Sequence, residues 1–295
     1  MGTRPTKRLF DAEDVTPQTP RNTGKNGKRA NDLSGSEWTR NSISVWADVR
    51  KSRFEEQLKH PAMFPEALAN RLLQSLTTNQ EKVVLDPFMG SGATLAAAHA
   101  LGRRGVGFEI YPEHIEKTQI RFQQEQLALG QPMDIPEIIR ADARRLTEYF
   151  KGPADICITS PPYWDILERK RTADYKEIRN YGEAQDDLGK ISDYEEFLGQ
   201  LDMVWMNVNE VLKPGGYMCI IVMDLRKQDR FYPYHMDIAR HVTSLKAERP
   251  FELDDIIIWN RQAEYNNLRC LGYPYTFRVN KVHEFVLIFK KKKEH

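Results

Sequence analysis

Short apolar runs alternate along this chain with longer segments in which apolar residues recur every three or four positions. The short runs read as strands at 82–86, 105–109, 135–141, 155–158, 217–223, 255–259 and 282–289. Helical spacing fills the intervals at 112–129, 193–212 and 235–246, with an Ala-rich helix at 95–101. Ahead of the first strand, Pro65 and Glu66 open a helix whose apolar face is Leu68, Leu72, Leu73 and Leu76. Pro65 stands where a missing N–H costs nothing. Strand and helix in regular alternation predict an α/β fold built on a doubly wound sheet.

The polar residues at the ends of these strands carry the candidate chemistry. The first strand ends at Asp86 and enters the turn Pro87-Phe88-Met89-Gly90-Ser91-Gly92-Ala93-Thr94. Its glycines let backbone approach a ligand, and the helix behind it offers unpaired N–H groups. Tight strand-to-helix turns also use Gly-x-Gly without a ligand. The second strand ends at Glu109, nineteen positions after Gly90, where a dinucleotide-type fold places an acid on ribose hydroxyls. The third ends at Asp142, which could accept from an adenine amine or cap the next helix. The fourth runs into Thr159-Ser160-Pro161-Pro162-Tyr163-Trp164. Two prolines fix φ and remove two donors, so neighbouring carbonyls stay free to accept. Acceptors beside an aromatic plate suit a planar group with an exocyclic amine; core packing of the aromatics is the plainer alternative. In an open parallel sheet all four ends line one crevice.

Three segments fall outside the alternation. Residues 165–192 are charged, with Arg169, Lys170, Arg171 and Tyr175 as candidate nucleic-acid contacts beside Trp164. A solvated loop is the alternative. Residues 224–234 form a second rim loop with Arg226 and Lys227, and residues 261–280 a polar and aromatic, hairpin-like excursion. Residues 1–36 hold almost no large apolar side chain and are predicted to be a disordered tail, ahead of one domain at 37–295. The tail's Gly24-Lys25-Asn26-Gly27-Lys28-Arg29 is basic but lacks the spacing and flanking elements of a phosphate loop.

Composition narrows the picture modestly. A formal net charge of +1 announces no global polyanion binding, though a local basic patch needs no net excess. The three cysteines, Cys157, Cys219 and Cys270, lie far apart with no metal-ligand spacing and are expected to be buried and inert. No apolar run reaches membrane-spanning length and no secretory core opens the chain, so a soluble, cytoplasmic protein is expected.

Taken together, the motifs resemble those of the DNA amino-methyltransferases, which methylate the exocyclic nitrogen of cytosine or adenine. The run from Asp86 to Thr94 looks like their turn for S-adenosylmethionine, Glu109 like the ribose acid and Asp142 like the acid near the cofactor adenine. His60-Pro61-Ala62-Met63-Phe64-Pro65-Glu66 resembles the segment that packs on the methionine end, and Ser160-Pro161-Pro162-Tyr163 the catalytic turn. Trp259-Asn260 and His283-Glu284 resemble the closing strands of the catalytic half. The resemblance covers residues 44–290. It implies a Rossmann-like methyltransferase fold, a seven-stranded, mostly parallel sheet with an antiparallel last strand. A cofactor half at 44–150 would precede a catalytic half at 151–295. It implies S-adenosylmethionine as cofactor, S-adenosylhomocysteine as product, no metal, a flipped base in DNA as substrate, and a restriction endonuclease or a second copy as candidate partner. Serine at the first position of the catalytic turn favours N4 of cytosine over N6 of adenine. An RNA methyltransferase of the same fold and a non-catalytic nucleic-acid-binding subunit are the alternatives. A dinucleotide oxidoreductase would leave the Pro-Pro turn without an account. No segment is large enough for a separate target-recognition domain, which leaves 165–192, 224–234 and 261–280 as DNA-contact insertions.

Overall fold

The computed structural model describes residues 29–52, 55, 64–129, 136–165, 186–264, 268 and 270–293. Ten strands and seven α-helices are assigned among them. The main sheet runs β1 (Val45–Trp46), β9 (Phe251–Asn260), β10 (His283–Lys291), β6 (Leu212–Val222), β5 (Ala154–Thr159), β2 (Val83–Asp86), β3 (Arg104–Glu109), β4 (Glu137–Arg140). All neighbours are parallel except β10, which is antiparallel to both β6 and β9. The seven strands expected from the apolar runs are therefore present with the last one reversed. An eighth, β1, adds to the edge; at two residues it is too short to leave a pattern in sequence. The sheet is α/β with mostly parallel strands.

Alternation along the strands sorts the core onto two faces. In β6, Met218, Ile220 and Val222 belong to one apolar cluster, and Cys219 and Ile221 to the other. Cys157 of β5 faces the first cluster while Ile156 and Ile158 face the second. That is the period-2 consequence of a pleated strand covered on both sides. The first face is closed by α6 (Tyr194–Val211), whose Phe197, Leu198, Leu201, Val204, Trp205 and Val208 recur at helical spacing and are fully buried. Asp193 caps α6 by accepting from Glu196 N at 2.8 Å. The chain leaves α6 directly into β6. The second face is closed by α2 (Glu66–Leu76) and α3 (Ala93–Ala100). Helix α3 buries residues 93–98 without interruption, so it is apolar all round, as its Ala-rich sequence requires. The remaining helices are α1 (Gly35–Asn41), α4 (Pro112–Leu129), α5 (Leu146–Tyr149) and α7 (Tyr234–Ser244).

Several expectations are adjusted. The boundary drawn at residue 36 moves earlier: Asn31 is buried and donates to Ser75 O at 2.8 Å, and Ser34 with Glu37 forms a capping box that starts α1. Local polar capping, which composition does not register, orders this stretch. Residues 1–28 lie outside the described residues. The 224–234 segment is a two-stranded hairpin, β7 (Leu225–Lys227) with β8 (Arg230–Tyr232), and not a loop. Cys157 and Cys219 are buried, and burial pushes both thiols up, whereas Cys270 is exposed. Among the described residues no helix is long and apolar enough to cross a membrane.

Candidate active site

The carboxyl ends of β2, β3, β4 and β5 open on one crevice. Its walls bring together Phe64, the turn residues Pro87, Phe88, Gly90 and Ser91, the acids Glu109 and Asp142, and Ser160, Pro161 and Pro162 of the lip. Segments that are up to about a hundred residues apart in the chain meet here because the strand order places their ends side by side.

The β2–α3 turn is shaped by Gly90, which lines the crevice, and by Gly92 and Asp86, which stand behind the wall. Gly90 and Gly92 hold φ of 51° and 78°, in the left-handed region where a side chain is disfavoured. A Cβ on Gly92 would lie 2.6 Å from Thr118 Cγ2, so α4 packs against bare backbone there. Asp86 is fully buried. Its Oδ1 accepts from Phe88 N at 3.0 Å and from Thr159 Oγ1 at 2.6 Å, while Oδ2 has no hydrogen-bond partner among the described residues. Burial raises its pKa to about 6, against the opposing pull of the hydrogen bonds from Thr159 and Phe88. Thr94 donates to Ile158 O at 3.1 Å and ties α3 to β5. Pro65 stands at the N-cap of α2, where it lacks a donor at no cost.

The acids of the next two strands are held by nearby backbone. Glu109 accepts from Ile110 N and Tyr111 N at 2.8 and 2.9 Å through one oxygen, and from Gly90 N at 3.1 Å through the other. It thereby locks the β2 turn to β3. Asp142 caps the short turn after β4 by accepting from Arg144 N at 2.9 Å and pairs with the same guanidinium. Asp142 is thus a cap and also borders the crevice.

The lip divides its acceptors. The Pro162 carbonyl accepts from Tyr234 Oη at 3.0 Å. The Ser160 hydroxyl and the Pro161 carbonyl have no hydrogen-bond partner among the described residues and belong to the crevice wall. Tyr163 is nearly buried; its hydroxyl donates to Glu284 Oε2 of β10 at 3.0 Å and its ring meets Tyr234 edge-on. Glu284 also pairs with Arg261.

Two candidate nucleic-acid contacts are corrected. Trp164 is buried at φ 50°, packed between Tyr194 and Tyr232 with ring centroids 5.0 Å away on each side, and exposes no face to a strand. Lys227 lies 3.6 Å over the Trp164 ring and 2.7 Å from Asp165 Oδ2, so its charge is used internally. Arg226 is exposed. Arg169, Lys170, Arg171 and Tyr175 lie outside the described residues, as do residues 60–63.

The sequence reading missed one wall. Tyr111, His114, Asp186, Asp187 and Leu188 also line the crevice. Tyr111 Oη donates to Asp187 Oδ2 at 2.7 Å, and Asp187 caps the turn Leu188–Lys190 through Gly189 N. Burial, then Asp187, raises the Tyr111 pKa, so it stays a neutral donor. The signal available was Asp187 two places before Gly189, an Asx-type cap at the end of a charged segment.

Comparison with known proteins decides the family. The DNA methylase profile of N6/N4 type matches residues 7–120 and 154–295, most of the chain. The chain belongs to the DNA methylase family. The chain is 38% identical over 92 residues to the Type II methyltransferase M.BglII of Bacillus subtilis, covering 30% of this chain and 25% of the relative. It is 32% identical over 133 residues to the Type II methyltransferase M.ScaI of Streptomyces caespitosus, 42% of each. The DNA adenine methyltransferase YhdJ of Escherichia coli K12 is 41% identical over 75 residues, a quarter of each chain. The chain thus spans less than half the length of these curated relatives. The structure of a DNA modification methylase from Thermus thermophilus complexed with S-adenosyl-L-methionine is 28% identical, with a TM-score of 0.37 over 52% of this chain and 55% of that one.

Proposed function

We propose that this DNA methylase transfers a methyl group from S-adenosylmethionine to the N4 amine of a flipped cytosine in DNA, leaving S-adenosylhomocysteine. The observation that carries the reading is the convergence of the Asp86–Thr94 turn and the Ser160–Pro162 lip on one crevice, with two acceptors of the lip unpartnered among the described residues.

The residues present fit the cofactor. A buried carboxylate with an orphan oxygen needs a cation nearby to be stable when ionised, and Asp86 is that group. S-adenosylmethionine carries an ammonium and a sulfonium. Glu109 would meet its hydroxyls, and Phe64, Phe88 and Ile110 supply apolar wall for its ring. When bound, the cofactor supplies a methyl already activated by sulfonium, so the protein needs no covalent intermediate.

What remains is to make the amine nucleophilic, since its lone pair is delocalised into the base. The Ser160 hydroxyl and Pro161 carbonyl accept the amine protons and draw the nitrogen toward tetrahedral geometry. Preorganised polar groups of this kind are worth about 3 kcal/mol each. Tyr163, nearly buried behind the lip and held there by Glu284, would close on the flipped base and fix its plane. Serine at position 160 supports cytosine; the adenine relative keeps N6 of adenine as the second reading.

The test is incubation of purified protein with labelled S-adenosylmethionine and, in parallel, plasmid DNA or total RNA, then digestion to nucleosides and mass analysis. N4-methylcytosine is expected. N6-methyladenine alone would transfer the reading to adenine, and methylated RNA with unmodified DNA would sink it. Ser160→Ala should lower turnover about 100-fold with cofactor affinity unchanged.

A further inference from the structure

We propose that the exposed aromatic run Tyr273, Tyr275 and Phe277 grips the DNA duplex beside the target and holds it open while the base occupies the crevice. This rests on the DNA methylation reading above and adds to it the surface that engages duplex.

Tyr273, Tyr275, Phe277 and Val279 stand at alternate positions and are 80%, 91%, 95% and 72% exposed. One exposed apolar side chain is ordinary. Four in succession form a surface that needs a partner. The cations around it say which. Arg226 and Lys281 both lie 5.5 Å from the Phe231 ring, and Arg230 lies 4.8 Å from that of Tyr232. Asp229, the acid of the hairpin turn, is already paired with Arg278. Rings interleaved with surplus positive charge match bases and phosphates, and would be poorly matched by a second copy of the same cationic surface.

The run is also braced against the chemistry. The Arg278–Asp229 pair and the Lys281–Phe231 contact fasten it to the β7–β8 hairpin. The hairpin grips Trp164 through Tyr232 and Lys227, and Trp164 follows Tyr163 in the chain. Beyond Lys281 the same segment enters β10, whose Glu284 holds the Tyr163 hydroxyl. A base drawn into the crevice leaves unstacked neighbours in the duplex. Aromatic side chains inserted there replace the lost stacking.

The test is the full chain with Tyr273→Ser, Tyr275→Ser and Phe277→Ser combined, compared with wild type on native and heat-denatured plasmid DNA. Methylation of native DNA should fall about 10- to 100-fold, while that of denatured DNA stays within about twofold. Duplex binding, followed by fluorescence anisotropy, should weaken in parallel. Equal methylation and binding of native DNA by the variant would overturn the proposal. So would equal loss on both substrates with a lowered melting temperature, which marks a structural role. A shift from dimer to monomer in sedimentation with unchanged duplex binding would overturn it in favour of contact between copies. Failure of wild type to methylate either DNA would sink the methylation reading instead, and the binding arm would still decide the role of the run.

Discussion

On the crevice wall formed by β2, β3 and β4, each acid has a backbone partner within two residues in the chain, to which Asp86 adds the distant Thr159 and Glu109 adds Gly90. Glu109 accepts from the two residues after it, Asp142 from Arg144 and Asp86 from Phe88. On the lip side, where the turn after β5 is backed by the hairpin, α7 and β10, partners come from far away. Tyr163 meets Glu284 across 121 residues, Pro162 meets Tyr234 across 72 and Lys227 meets Asp165 across 62. The first wall is set by turns that form wherever the strands lie side by side. The second exists only when the hairpin, α7 and β10 have all docked. Lesions in the first should therefore remove binding together with local stability, and lesions in the second should lower turnover while cofactor binding survives.

The largest expected effect comes from breaking the local wall. Gly92→Val combines a disfavoured positive φ with a side chain directed at Thr118 Cγ2. Strain and overpacking together should cost about 4 kcal/mol and abolish cofactor binding. Adding Thr118→Ala relieves the overlap but not the φ, so about half the stability should return. Urea midpoints of the three variants check this; a stable Gly92→Val that binds cofactor would show that the turn is not preset.

Asp86 provides the next test. Its folded pKa, about 6, lies above the ordinary value of 3.8. Below about pH 3 the carboxyl is protonated in both states. As pH rises the unfolded chain ionises first, so stability is lost progressively up to about pH 6 and then levels off. The decline should amount to about 3 kcal/mol. Asp86→Asn should abolish it and leave the protein at least as stable at pH 7, yet weaken cofactor binding measured by calorimetry. Such a group is retained for its ligand at a cost in stability. Unchanged affinity in the variant would refute that.

The same contrast explains what could be read from sequence. Asp86, Glu109 and Asp142 are visible because an acid at a strand end is a local pattern, and strand order then aligns them. The lip is visible because two prolines are a local constraint. Trp164 and Lys227 are misread because their neighbours, Tyr194, Tyr232 and Asp165, reach them only through tertiary packing. Nothing near position 164 says that a tryptophan there will be enclosed. Asp187 escapes for the same reason, since its partner Tyr111 lies 76 residues away. Strand β1 escapes because two residues carry no period.

The smallest effect is the most discriminating for the remote wall. If Glu284 acts by holding the Tyr163 hydroxyl, removing either end should have the same consequence. Tyr163→Phe deletes the donor and keeps the ring. Glu284→Gln keeps an acceptor shape but weakens the charge-assisted bond, and it disturbs the pair with Arg261 equally in both backgrounds. Each single variant should lower kcat about 10-fold, the worth of one hydrogen bond to a charged group, with cofactor affinity unchanged. The double variant should lower it no further, because the second change removes a bond already lost. An independent loss of about 100-fold in the double variant would mean that Glu284 serves the fold through Arg261 and Trp259, whose ring lies 4.7 Å from that guanidinium, and does not serve the base through Tyr163.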